Sequence, residues 1–286
     1  SLKNKTEIKN SIKSHIHDGA ALTKFIFWLK DTYKTKKITE ISAQEKLLEF
    51  RKKNRLFYSL SFPTISGTGP NGAIIHYKAN KKSSRLLKKG DVYLVDSGAQ
   101  YLYGTTDVTR TLSLDVKSSR IKEIFTRVLK GHIAVASYKL KKESNGDKID
   151  YVARKPLRDI NLDYPHGTGH GVGCFLNVHE GPQGISRGNK VRFKEGMITS
   201  NEPGFYKKNH FGIRIENLIY IKKIKNKLQF IDLTLAPIEK TLIEKKFLTS
   251  FEKYWLNSYH QRVYKSLKKF MNKFELTQLK QACSNI

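Results

Sequence analysis

The chain has 286 residues, with 54 Lys and Arg against 25 Asp and Glu, for a formal charge of +29; it is long enough to bury one large core or two smaller ones. Two cysteines, Cys174 and Cys283, without a CxxC pair argue against a disulfide scaffold and fit a reducing cytoplasm, and no run of 18 uncharged apolar residues suggests a transmembrane helix. The opening SLKNKTEIKN has no apolar stretch of the signal-peptide kind, and it starts with Ser rather than Met, as a fragment or a processed chain does.

A helix is expected over 8–33, where Ile8, Ile12, Ile16, Ala20, Phe27 and Leu29 recur at roughly helical spacing. A second is expected from Ser42: SAQE reads as a capping box, with Ser42 accepting from the Glu45 N–H and Glu45 reaching back. Pro63, Gly67, Gly69, Pro70 and Gly72 predict a long loop suited to a cleft wall. Strands are expected near 73–77, 91–96 and 107–114, then helices at 118–142 and 147–160, the latter capped by Asp147. Glycines surround His166 and His170, where they permit close backbone approach to a metal or substrate. Strands near 197–201, 211–222 and 228–235 complete the sheet. From about 241 the pattern is helical, with Leu242, Phe247, Phe251, Trp255 and Leu256.

A charge of this size favours nucleic acid or an anionic membrane surface. The lysines, however, are spread from Lys3 to Lys280, and there is no RNP motif, zinc finger or basic-region heptad. Lys, Asn and Ile are all abundant, as an AT-rich genome produces, and compositional drift is the preferred reading.

Five potential metal ligands follow in order: Asp96 and Asp107 in VDSGAQYLYGTTDVTRT, His170 in HGTGHGVG, Glu202 in SNEPGFY and Glu216 in GIRIENL. Alone, each has a plainer reading, since an aspartate after an apolar strand is usually a turn or cap residue. Together they are a hard, oxygen-rich set that suits two divalent cations, Mn²⁺ first with Zn²⁺ or Co²⁺ as alternatives. Two metals about 3.5–4 Å apart are a common hydrolytic device. DVYLVDSG sets Asp96 at the end of a strand, and a short hairpin returns Asp107 to the same place. In GIRIENLIY the alternation turns Ile213 and Ile215 one way and Arg214 and Glu216 the other, toward a polar cavity.

NGAIIHY, VYLVDSGAQY, GTTDVTRT, VLKGHIAV, HGTGHGVGCFLNVHEGP, EPGFY and FGIRIEN resemble the catalytic domain of aminopeptidase P, the Xaa-Pro aminopeptidase of peptidase family M24, in its long cytosolic form. The similarity extends upstream through SFPTISGTGP and downstream through LTLAPIEKTLI and WLNSYH, so it covers essentially the whole chain. It implies an α+β pita-bread fold, with two pseudo-symmetric halves around a dinuclear metal site. It further implies a catalytic domain over 1–236 and a helical C-terminal extension over 237–286 that takes part in a homodimer. The two creatinase-like N-terminal domains of the long form are absent from this sequence.

By the same resemblance Asp96 binds one metal, Asp107 and Glu216 bridge both, and His170 and Glu202 bind the second. His76 matches a catalytic histidine near the leaving group, His166 one that contacts substrate, and His179 one that contacts the substrate carbonyl; Arg214 matches an arginine that supports the ligands. The implied reaction is metal-assisted hydrolysis of a peptide with proline in second position, His179 stabilising the oxyanion and His76 or Glu202 carrying the proton to the proline nitrogen. A cytoplasmic enzyme is expected, with no membrane or specific nucleic-acid partner. Two alternatives stand beside it. One is an M24 hydrolase of other specificity, such as a methionine aminopeptidase or prolidase. The other is a non-enzymatic pita-bread binding module, for which loss of ligands would be expected.

Overall fold

The first helix, α1 (Lys5–Thr32), begins where Asn4 accepts from the Glu7 N–H at 2.9 Å and Glu7 accepts from the Asn4 N–H at 2.8 Å. The computed structural model describes residues 1–286. Helix α2 (Glu40–Lys52) corrects the expected start at Ser42. Thr39 is the extended N-cap, its hydroxyl accepting from the Ser42 N–H at 3.1 Å, while the Ser42 hydroxyl accepts from the Thr39 N–H at 2.9 Å. The capping box therefore lies one turn earlier than SAQE, and Glu40 falls inside the helix.

Strand β1 (Phe57–Leu60) is followed by β2 (Ile65–Thr68), which lies within the stretch expected to be loop. Residues 73–77, expected as a strand, are not one. A 3₁₀ turn over Gly69–Ala73 leads into a further turn, with the Ile74 N–H bonded to Asn71 O and the Tyr77 N–H to Ile74 O, both at 3.1 Å. Local bonds thus take the donors a ladder would need.

Next come β3 (Val92–Ser97), β4 (Ala99–Tyr101), β5 (Gly104–Thr105) and β6 (Val108–Ser113). One antiparallel sheet has the order β2-β3-β6 and a second the order β1-β4-β5. Helices α3 (Ser119–Ala136) and α4 (Gly146–Arg158) follow, the first ending short of the expected 142. Two short strands, β7 (Gly169–His170) and β8 (Gly184–Ile185), pair with each other.

After β9 (Ile198–Asn201) and β10 (Gly204–Lys207), the single strand expected over 211–222 is broken into β11 (Phe211–Arg214) and β12 (Asn217–Ile224). Strand β11 pairs with β10, and β12 pairs with β9 and β13 (Lys227–Asp232). The break at 215–216 is where the chain changes sheets. The Glu216 N–H there bonds Thr109 O at 3.2 Å. Helices α5 (Ser250–Leu267) and α6 (Lys273–Ala282) end the chain.

The main core joins Phe25 and Leu29 of α1, Tyr93 and Val95 of β3, Val128 and Leu129 of α3, Ile213, Ile215, and Leu256 and Val263 of α5. Each fully buried Leu, Ile or Phe contributes on the order of 1.5–3 kcal/mol. A smaller cluster with Val135, Ile149, Met197 and Ile219 packs α3 and α4 on β12 and on Met197, just before β9. No helix is long and apolar enough to cross a membrane.

Candidate metal centre

Strand register and strand breaks decide where the candidate ligands fall. Asp96 lies in β3 opposite Thr109 of β6, and Asp107 immediately precedes β6, so the hairpin returns it beside Asp96 as expected. His170 ends β7, Glu202 lies between β9 and β10, and Glu216 lies at the break between β11 and β12. A Cβ on Gly169 would collide with the Ser200 carbonyl, so glycine is what lets the His170 strand lie against β9.

These side chains line one cleft of about 530 Å³. It brings together Asp96, Asp107, His170, Glu202 and Glu216, and with them His76, His166, His179 and Arg214. Ligand atoms of Asp107, His170 and Glu216 lie within 4.8 Å of one another. His170 Nε2 is 3.4 Å from both Asp107 Oδ2 and Glu202 Oε1, while Nδ1 is 3.0 Å from Gly171 O, which fixes the ring with Nε2 toward the carboxylates. Behind them, Thr109 Oγ1 donates to Glu216 Oε2 at 2.6 Å and Ser200 Oγ to Glu202 Oε1 at 3.0 Å.

Burial, reinforced by the neighbouring carboxylates, raises the proton affinity of Asp107, Glu202 and Glu216. Burial works against a charged His170, but the Asp107 hydrogen bond and the charges of Glu202 and Asp107 outweigh it and shift its pKa upward. Arg214 is the one guanidinium lining the cleft, and it is spread over three partners: Asp96 Oδ2 at 2.6 Å, Thr109 Oγ1 at 3.1 Å and the Tyr206 hydroxyl at 2.5 Å. Asp96 Oδ1 is buried with no hydrogen-bond partner. Crowded carboxylates with an unsatisfied oxygen are the donor set that hard divalent cations neutralise, so the residues fit such ions.

The three further histidines differ. His76 is exposed on its turn. His166 places Nδ1 2.7 Å from Gly167 O and Nε2 2.8 Å from the Tyr206 hydroxyl, and burial pushes its pKa down to about 4. The neutral ring therefore donates from Nδ1 to Gly167 and accepts from Tyr206 at Nε2. His179 is exposed, its ring centroid 4.0 Å from that of His170; partial desolvation and the nearby His170 charge lower its pKa.

Sequence reasoning did not single out Tyr206, Thr109, Ser200 or Arg110. Tyr206 and Thr109 stand inside quoted motifs, EPGFY and GTTDVTRT, four residues after Glu202 and two after Asp107. Arg110 sits behind the cleft, donating to Glu216 O at 2.7 Å and to Asn217 Oδ1 at 2.9 Å. It thereby holds the backbone at the strand break that carries Glu216.

Two family models account for nearly the whole chain: metallopeptidase family M24 matches residues 10–223, and the C-terminal region of peptidase M24 matches residues 226–286. The protein of Laccaria bicolor named Probable Xaa-Pro aminopeptidase P is 47% identical over 271 residues, covering 91% of this chain and 42% of that relative. The crystal structure of X-prolyl aminopeptidase from Caenorhabditis elegans, a cytosolic enzyme with a di-nuclear active site, superposes with a TM-score of 0.95 at 38% identity over all of this chain and 48% of its own. The X-Pro aminopeptidase of Thermotoga maritima gives a TM-score of 0.72 at 28% identity, over 82% of this chain and 63% of its own. The chain thus spans less than half the length of the Laccaria and Caenorhabditis proteins. The expected α+β pita-bread architecture with a helical C-terminal extension is borne out.

Proposed function

Since the chain belongs to metallopeptidase family M24, we propose that it is a dinuclear metal-dependent aminopeptidase that removes the first residue from peptides with proline in second position. The observation that carries this reading is the convergence of four carboxylates, His170 and three further histidines on one cleft. Support for the proline preference comes from the names of the relatives and from the Caenorhabditis structure.

In this reading Asp96 would hold one cation, His170 and Glu202 the other, and Asp107 and Glu216 would serve both. When bound, the two cations, Mn²⁺ by preference, supply Lewis acidity and an activated water near neutral pH. The protein's own groups orient and move protons. His179 donates to the substrate carbonyl oxygen as negative charge develops there. Glu202 takes the proton of the attacking water, and His76 delivers one to the proline nitrogen, which must leave as a secondary amine. Arg214 and Tyr206 keep Asp96 and His166 in place through the three-way contacts of the guanidinium.

Residues 1–236 are the catalytic region in this proposal, and 237–286 an extension that supports a homodimer. A cytoplasmic setting, with no specific nucleic-acid partner, completes it. The test is cleavage of matched Xaa-Pro-Xaa and Xaa-Ala-Xaa peptides with Mn²⁺ and with chelator. Mn²⁺-dependent release of the first residue from the proline series is the expected result. Cleavage that survives chelation, or that prefers alanine, overturns the proposal.

A further inference from the structure

Glu40 is fully buried in the first turn of α2 and belongs to no part of the site described so far. Its carboxylate accepts from the Thr68 N–H at 2.7 Å, from Asn71 Nδ2 at 2.9 and 3.1 Å, from the Tyr77 hydroxyl at 2.8 Å and from the Arg85 N–H at 2.9 Å. All are donors, and none is a cation, because Arg85 contributes its backbone and not its guanidinium. The position therefore needs an acceptor at both oxygens, which a carboxylate supplies and an amide does not. A buried carboxylate is stable only when so satisfied, and hydrogen bonds to a charged acceptor are among the strong ones.

What the four donors have in common is their place in the chain. Asn71 and Tyr77 bracket the turn that carries His76, and Thr68 and Arg85 stand at the two ends of the same excursion. Residues 69–85 contain no strand, and only the short 3₁₀ turn gives them regular structure. One carboxylate thus gathers a segment with little ladder of its own. The His76 ring at its crest is exposed, so its position depends on the backbone below it. The same arrangement accounts for NGAIIHY, whose first and last residues both bind Glu40.

We infer that Glu40 is a positioning residue for His76: it clamps the 68–85 segment so that the imidazole is presented to the cleft. This rests on the peptidase reading, in which His76 carries a proton. Catalysis of this kind depends on near-attack geometry, and a small misplacement costs about 10²-fold.

The test is a cycle of Glu40→Gln and His76→Ala in the full chain, with the Mn²⁺ content of each variant measured. Glu40→Gln should lower kcat by at least about tenfold with KM and Mn²⁺ content unchanged. In the His76→Ala background the same change should cost less than about twofold, because the group it positions is gone. A merely structural role would give equal losses in both backgrounds and would overturn the inference, as would an unchanged kcat for Glu40→Gln. Should Glu40→Gln fail to fold, Tyr77→Phe, which removes one donor and keeps the ring, takes its place in the cycle. A second readout needs no turnover: the His76 ring proton resonance should shift or broaden in Glu40→Gln while those of His166 and His179 stay. A wild-type chain inactive on peptides would sink the peptidase reading alone, whereas an unmoved His76 resonance would sink the role of Glu40.

Discussion

Arg214 holds Asp96 from one side only: Nη2 donates to Oδ2 at 2.6 Å, while Oδ1 is buried without a partner. The same guanidinium reaches Thr109 and Tyr206, so one side chain sets the position of a carboxylate, of a hydroxyl that supports Glu216, and of a phenol bound to His166. Lysine offers one point charge and no fork. Arg214→Lys is expected to lower turnover about 10²-fold and to weaken Mn²⁺ binding about 10-fold. Turnover and chelator competition measure the two effects, and changes within twofold would show that the fork is dispensable.

Asp107→Ala should abolish metal-dependent hydrolysis and reduce the bound metal below two per chain, because one carboxylate is proposed to serve both cations. Without metal the variant should melt near the wild-type temperature, since burial and the charge of Asp96 disfavour an ionised Asp107 while its contact with His170 favours one. Elemental analysis and calorimetry check the two halves. Two metals retained with normal turnover would remove Asp107 from the site.

His76→Ala separates proton transfer from metal binding. Turnover should fall roughly 10²–10⁴-fold while the metal content stays at the wild-type value. Loss of metal in step with activity would make His76 a ligand and overturn the division of roles.

Stability should carry a histidine-dependent fall in mild acid. His260 is buried, its Nε2 accepting from the Ile238 N–H at 3.1 Å, and burial, with Lys240 and Arg110 nearby, lowers its pKa to about 3. The unfolded chain takes up a proton near the ordinary value of 6.5, and the folded chain does so only near 3. The neutral ring's contribution is therefore complete above 6.5 and is lost as the pH falls from there toward 3. Between pH 7 and 5 the loss is about 2 kcal/mol. The raised cleft carboxylates run the opposite way, so the quantity to measure is the difference between wild type and His260→Gln in urea unfolding at the two pH values. A pH-independent difference would contradict the assignment.

The hairpin of β3 and β6 was legible because DVYLVDSG and DVTRT combine apolar alternation with a glycine between them, and the cleft that gathers Asp96, Asp107, His170, Glu202 and Glu216 was legible from their local frames. The metal roles of these residues remain proposals. Part of what was not legible was settled over distance. Ile74 and Ile75 read locally as part of a strand, yet Glu40, more than thirty residues away, gathers the segment into turns. Ser42 offered an adequate cap, but Thr39 offered one a turn earlier. GIRIENLIY keeps its alternation only as far as Glu216; the second polar residue in succession, Asn217, opens the strand that pairs with a different sheet, a lapse too short to read as a break.

Arg110 is almost wholly buried, and its donors reach from Thr109 O and Glu216 O to Ala236 O, Pro237 O and the Tyr259 hydroxyl of α5. Tyr259 in turn stacks on Trp255 with ring planes 3° apart, and Trp255 meets His132 of α3 edge-on. Arg110 thus ties together, at the back of the cleft, the two stretches matched by separate family models. They should unfold as a single cooperative unit, with amide exchange in α5 and in β6 limited by the same global opening. A shortened version ending near residue 225 would leave a guanidinium buried with half its acceptors gone, and the backbone that presents Glu216 would lose its anchor.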